Sequence, residues 1–170
     1  MNDYNMRIFL IGFMGSGKTS IGEKIAKKLN LQFIDIDDVI EKEQGLQISD
    51  IFAKKGEDYF RSLEKNALNR IIEKENVVIA TGGGTPCFFD NMELMNKNGI
   101  TVYLKLPAVD LFNRLENSQT DRPLLKGLNK EKLLAKIVEL LNKREKFYMQ
   151  AQHTIDGIDP DLNKLYQLCL

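Results

Sequence analysis

Eight consecutive residues, Gly12-Phe13-Met14-Gly15-Ser16-Gly17-Lys18-Thr19, have the types and spacing of a loop that wraps phosphate. The glycines allow the backbone N–H groups of Gly15, Ser16 and Gly17 to turn inward on anionic oxygens, and a following helix N-terminus adds partial positive charge. Lys18 reaches the β- and γ-phosphates, the Thr19 hydroxyl suits Mg²⁺, and Ser20 completes the run. These residues predict a bound nucleoside triphosphate.

Three further groups speak to what receives the phosphate. Asp35 and Asp37 stand at the end of a short apolar run, with Asp38 next. Carboxylates there face the loop, where they can hold Mg²⁺ through water or meet a hydroxyl. Helix capping is the competing reading, and Asp38 suits the first turn of a helix. Gly82-Gly83-Gly84 is entropically costly and packs nothing, so it suits a place where a ligand must approach the backbone closely. The adjacent run lacks the acidic residue often found there in phosphate-loop proteins, which leaves Asp35 as the candidate metal carboxylate.

Arginine is sparing in this chain: only six of the 24 basic residues are Arg. Its planar fork is therefore expected where a carboxylate or phosphate must be gripped. Arg144 falls in helical register with Leu133, Ile137, Leu140, Leu141 and Tyr148, on an apolar face, where a guanidinium must find an anion. Arg61, with Glu64 one helical turn on, forms either a surface bridge or an oriented ligand group. Arg122 precedes Pro123 in the poorly periodic stretch 117–127, a length that usually means function. Arg7 and Arg70 show no role. Phe52, Phe60, Ile48 and Leu124 could line a pocket or simply fill the core, and His153 carries no functional weight.

These residues need a scaffold, and the pattern supplies one. Runs at Met6–Ile11, Gln32–Asp35, Val77–Ala80, Ile100–Leu104 and, weakly, Thr154–Ile155 predict five strands. Helical patterns separate them, with Ile21, Ile25 and Leu29 marking one face and the longest helix running from about Asn129 to Gln150. Such alternation predicts an α/β fold, a parallel sheet flanked by helices on both faces, with ligands at the strands' carboxyl ends.

The chain of 170 residues suits one domain. Lys plus Arg and Asp plus Glu are both 24, a formal net charge of zero, which lacks the basic footprint of a nucleic-acid binder. No apolar run reaches membrane-span length and no signal-peptide pattern opens the chain. Cys87 and Cys169 make no metal knuckle. The expectation is a cytoplasmic protein with no nucleic-acid or membrane partner.

In order along the chain come Gly-x-Met-Gly-x-Gly-Lys-Thr to Thr19, Asp35-Ile36-Asp37 and Ile48-Ser49-Asp50-Ile51-Phe52. Gly56-Glu57-x-x-Phe60-Arg61-x-x-Glu64, Thr81-Gly82-Gly83-Gly84, Arg122-Pro123-Leu124-Leu125 and Arg144-x-x-x-Tyr148 follow. This series closely resembles the shikimate kinase family over nearly the whole chain. The resemblance implies a P-loop NTPase, nucleoside-monophosphate-kinase-like fold with a five-stranded parallel sheet, spanning 1–170 as one domain with a lid at about 115–128. It implies ATP and Mg²⁺, a monomer, and phosphorylation of the 3-hydroxyl of shikimate on the route to chorismate and aromatic amino acids. Carried over by position, Asp37, Arg61, Gly82, Gly83, Gly84 and Arg144 would hold shikimate, the two arginines at its carboxylate. Lys18, Asp37 and Arg122 would be catalytic, Thr19 and Asp35 would serve the metal, and Arg114 would lie near the adenine. Gln152 and His153 depart from the Ala-Asp often found there. A gluconate kinase would share the loop but would need neither the two inward arginines nor the triple glycine. A guanine-nucleotide switch would want an Asn-Lys-x-Asp signature, which Asn129-Lys130-Glu131-Lys132 lacks.

Overall fold

The computed structural model describes residues 6–169. Five strands form one parallel sheet: β1 (Arg7–Ile11), β2 (Gln32–Asp35), β3 (Val77–Ala80), β4 (Ile100–Lys105) and β5 (His153–Asp156), in the order β2-β3-β1-β4-β5. The eight helices are α1 (Lys18–Leu29), α2 (Ile36–Gln44), α3 (Ile48–Lys55), α4 (Glu57–Ile71), α5 (Asn91–Asn98), α6 (Ala108–Glu116), α7 (Lys130–Tyr148) and α8 (Leu162–Leu168). Thr85–Cys87 and Pro123–Leu125 are single tight turns. The five strands and the long helix fall where the hydrophobic pattern places them.

Alternating side chains split the core in two. Phe9, Ile11, Ile79 and Tyr103 point to the face covered by α2 through α7, where Ile40, Phe60, Leu68, Met95, Leu111 and Ile137 meet them. Ile8, Leu10, Val78, Val102 and Leu104 point to the other face, closed by Ile21 and Ile25 of α1 and Leu165 of α8. Because β1 lies between β3 and β4, successive connections diverge at its carboxyl end and leave a crevice there. The loop 12–17 leaves β1 at that crevice.

Two residues without an evident role fasten the rear of the sheet. Arg7 donates through Nε to the Lys74 carbonyl at 2.6 Å, and Gln152 donates through its backbone N–H to the Thr101 hydroxyl at 2.9 Å. Both are structural ties, and the departure at Gln152 lies away from the crevice.

Candidate active site

Gly15 and Gly17 take positive φ values of 80° and 95°, which L side chains rarely adopt. This curl ends at α1, with Gly17 as its cap. Lys18 folds over the loop, its Nζ donating to the carbonyls of Gly12 at 2.8 Å and Phe13 at 2.9 Å. Burial, reinforced by the nearby Arg122 guanidinium, lowers the Lys18 pKa to about 8 against the pull of Asp37 and Asp35. Ser16 is buried beneath the loop, while Gly15, Gly17, Lys18, Thr19 and Ser20 line a cavity of about 290 Å³ beside it.

The Thr19 hydroxyl donates to Asp35 Oδ2 at 2.8 Å, and Asp35 Oδ1 accepts the Asp37 backbone N–H at 3.0 Å. Asp35 therefore caps α2 with one oxygen and sets the other against the loop hydroxyl. Two hard oxygen donors at the rim of a phosphate cavity fit Mg²⁺, which prefers one or two protein ligands plus phosphate and water. Among the described residues no group of three or more His, Cys, Asp or Glu forms a metal cage.

A second cleft, about 630 Å³, opens against the first and shares Met14, Thr19, Asp35, Asp37, Gly82, Gly83 and Arg122 with it. Its apolar wall is Ile48, Phe52, Phe60 and Leu124, so these four are pocket residues as well as packing. Its polar floor comes from α4, the triple glycine and α7. Arg61 and Glu64 are both buried, so their bridge is not a surface pair. Glu64 Oε2 accepts from Arg61 at 2.6 Å, and Glu64 Oε1 accepts the Thr85 hydroxyl at 2.6 Å. Glu57 accepts from Arg61 Nε and Nη2 at 3.1 and 2.9 Å. Of the five guanidinium N–H groups, three are held in place, and two make no hydrogen bond among the described residues. Phe88 faces the same guanidinium at 4.3 Å.

The glycines do admit close approach, and protein groups make it. A Cβ at Gly82 would lie 2.5 Å from Glu64 Oε1, at Gly83 2.9 Å from the Met14 nitrogen, and at Gly84 2.5 Å from Arg61 Nη1. The strap is thus wedged between α4 and the phosphate loop. Behind it, Arg144 of α7 is 6 % exposed and stands 5.6 Å from the Phe13 ring.

Three buried polar atoms of this cleft find no hydrogen-bond partner among the described residues: Asp37 Oδ1, Arg122 Nε and Arg144 Nη1. Such groups are rare in native structures, because each carries a desolvation penalty. Gathered at one cleft, they describe a ligand with an anionic end for Arg144, a hydroxyl for Asp37 and a negative group near Arg122. Burial, with Glu64 and Asp35 nearby, raises the Asp37 pKa to about 7. Burial also lowers that of Arg122, against Asp37 and Asp35.

Arg114 stands apart. It lines neither cavity and ties the phosphate loop to the turn after β5, donating to the Gly15 carbonyl at 3.4 Å and the Gly157 carbonyl at 3.0 Å. Residue patterns alone gave no hint of the Thr85 hydroxyl or of Phe88. Their partners lie more than twenty positions away, and nothing local marks them.

The family model described as "Shikimate kinase" matches residues 14–167. A shikimate kinase of Parabacteroides distasonis is 51% identical over 151 residues, 89% of this chain and 87% of that protein. The crystal structure of shikimate kinase from Bacteroides thetaiotaomicron superposes with a TM-score of 0.91 at 43% identity, covering 96% of this chain and 97% of that one. Shikimate kinase from Acinetobacter baumannii, solved in complex with shikimate, gives a TM-score of 0.85 at 36% identity over 95% and 89%.

Proposed function

Because this chain belongs to the shikimate kinase family, we propose that the two joined cavities divide one reaction between them. ATP places its phosphates in the cavity at the loop, and shikimate occupies the larger cleft. The 3-hydroxyl oxygen forms a bond to the γ-phosphorus as the bond from that phosphorus to the β–γ bridging oxygen breaks, giving shikimate 3-phosphate and ADP. The product is an intermediate on the way to chorismate and aromatic amino acids. The observation that carries this reading is the set of three unpartnered polar atoms in one cleft, Asp37 Oδ1, Arg122 Nε and Arg144 Nη1.

Each residue then has a task. Arg61 and Arg144 hold the shikimate carboxylate, Arg61 with its two free N–H groups and Arg144 with the Nη1 that lacks a partner. Gly82, Gly83 and Gly84 form the backbone strap beside the ring. Asp37 accepts the proton of the 3-hydroxyl, and a carboxyl whose pKa is about 7 is matched to that task near neutral pH. Lys18 exchanges its two carbonyl partners for phosphate oxygens, and Arg122, from the segment between α6 and α7, covers the transferring group. Thr19 and Asp35 would hold Mg²⁺, which when bound supplies positive charge to the phosphate oxygens. Arg114, bridging the loop and the turn after β5, is assigned to the adenine end. Phosphoryl transfer needs positioning and charge more than a strong base, which these groups supply.

The protein is taken to act as a monomer. Cys87 and Cys169 are free, in keeping with the cytoplasm. Among the described residues no helix is long and apolar enough to cross a membrane.

The direct test is ADP release with ATP and Mg²⁺, with and without shikimate. Shikimate-dependent release is expected; release driven by gluconate instead would overturn the acceptor assignment. A second expectation concerns pH. Asp37 is a carboxylate only above about 7, so kcat/KM for shikimate should rise as pH increases through that value. Lys18 loses its charge above about 8, so the profile should fall again on the alkaline side. Saturating ATP should move the alkaline limb upward, since phosphate charge favours the ammonium. An acid limb that persists in Asp37→Asn would remove Asp37 as its source.

A further inference from the structure

Tyr148 ends α7 one helical turn beyond Arg144 and takes no part in the reaction just described. It is completely buried, with its ring 5.1 Å from that of Tyr103. Its hydroxyl donates to the Gly83 carbonyl at 2.5 Å. Burial drives the phenol pKa well above its usual value, against the pull of the Arg144 guanidinium beside it, so the group is a proton donor at any working pH. Gly83 is confined on its other sides too. A Cβ there would lie 2.9 Å from the Met14 backbone nitrogen and 3.5 Å from Arg144 Nη1. The middle of the glycine strap is therefore clamped between the phosphate loop and the helix that carries Arg144, and Tyr148 supplies a directional bond between strap and helix.

We propose that Tyr148 is a positioning residue for the acceptor: its hydrogen bond to the Gly83 carbonyl locks the glycine strap to α7. The strap and the adjacent Arg144 guanidinium then keep a fixed separation on one wall of the shikimate cleft. The strap has no side chains of its own to hold it, and three successive glycines give the backbone its widest conformational choice. Without the phenol the half-buried Gly83 carbonyl loses that partner, which favours a turned peptide and a displaced N–H on the face the acceptor meets. Tyr148 does not line the cavity at the phosphate loop, so its effect should fall on one substrate. The inference rests on the assignment of shikimate to this cleft.

The test is Tyr148→Phe in the full chain, which keeps the ring and its packing on Tyr103. The Michaelis constant for shikimate should rise about tenfold, in line with loss of the one hydrogen bond that Tyr148 makes to the Gly83 carbonyl. That for ATP should stay within about twofold. Tyr103→Phe, at the other ring of the stack, should leave both unchanged. An unchanged shikimate constant in Tyr148→Phe would overturn the proposal. So would an equal rise for both substrates accompanied by a lower melting temperature, which would mark the phenol as packing alone. Wild-type protein that releases no ADP in response to shikimate would instead defeat the acceptor assignment, before any variant is compared.

Discussion

Arg144→Ala is expected to raise the Michaelis constant for shikimate about 10- to 100-fold, while that for ATP stays within about twofold. A charge-assisted hydrogen bond to a buried ion contributes about 1.5–3 kcal/mol, and each 1.4 kcal/mol is a factor of ten. The side chain is 6 % exposed and its Nη1 has no protein partner, so a bound carboxylate would be its main counter-ion. The same isolation means the substitution should spare the fold. Removing an uncompensated buried charge relieves a penalty and offsets the packing lost with the side chain. Steady-state kinetics with each substrate varied in turn, together with a melting curve, make the check. A shikimate constant that does not move would refute the carboxylate assignment. Arg144→Lys is expected to recover little, because an ammonium has no second N–H in the plane of the carboxylate.

Lys18→Ala is expected to lower kcat by about 1,000-fold, the scale at which a preorganised charge acts on the transition state. The ammonium already lies among the carbonyls of Gly12 and Phe13, so only its partners change when phosphate arrives. Single-turnover ADP formation at saturating ATP and shikimate separates this from weaker binding. Kinase activity within about tenfold of wild type would show that the loop lysine does not neutralise the transferring phosphate. The two variants are predicted to differ in kind: Arg144→Ala is a defect of acceptor binding, and Lys18→Ala a defect of the chemical step.

Much of this was legible in the residues themselves. The strands are short continuous apolar runs because both faces of the sheet are covered, and that pattern needs no tertiary knowledge to find. Lys18 and Thr19 are legible because their motif is local. Arg144 was found by a contradiction, a charge on the apolar stripe of α7, and its burial bears that contradiction out. Arg61 was ambiguous. Spacing places Glu64 next to it but says nothing of burial, and burial is what turns a surface pair into an oriented fork. Thr85 and Phe88 were not legible at all. Thr85 reaches Glu64 across 21 positions, and Phe88 meets Arg61 across the fold, so each contact depends on how α4 packs against the turn after β3. The Asp35 cluster shows a different limit. Capping and metal binding were set as alternatives, yet one carboxylate has two oxygens and serves the helix with one and the loop with the other.

The wedged glycine strap has a consequence for descent. An alanine at Gly83 would drive a methyl into the Met14 backbone, and one at Gly82 or Gly84 would displace the buried end of Glu64 or Arg61, so drift is resisted here by geometry before catalysis is considered. Asp37 is under the opposite regime, since its carboxyl has a buried, unpartnered oxygen and the use proposed for it is the reaction. In a lineage that no longer needed the activity, Asp37 should be among the first positions to change, and the three glycines among the last. A surviving glycine triplet would then record how the fold is packed, and a surviving Asp37 would record that the enzyme was still at work.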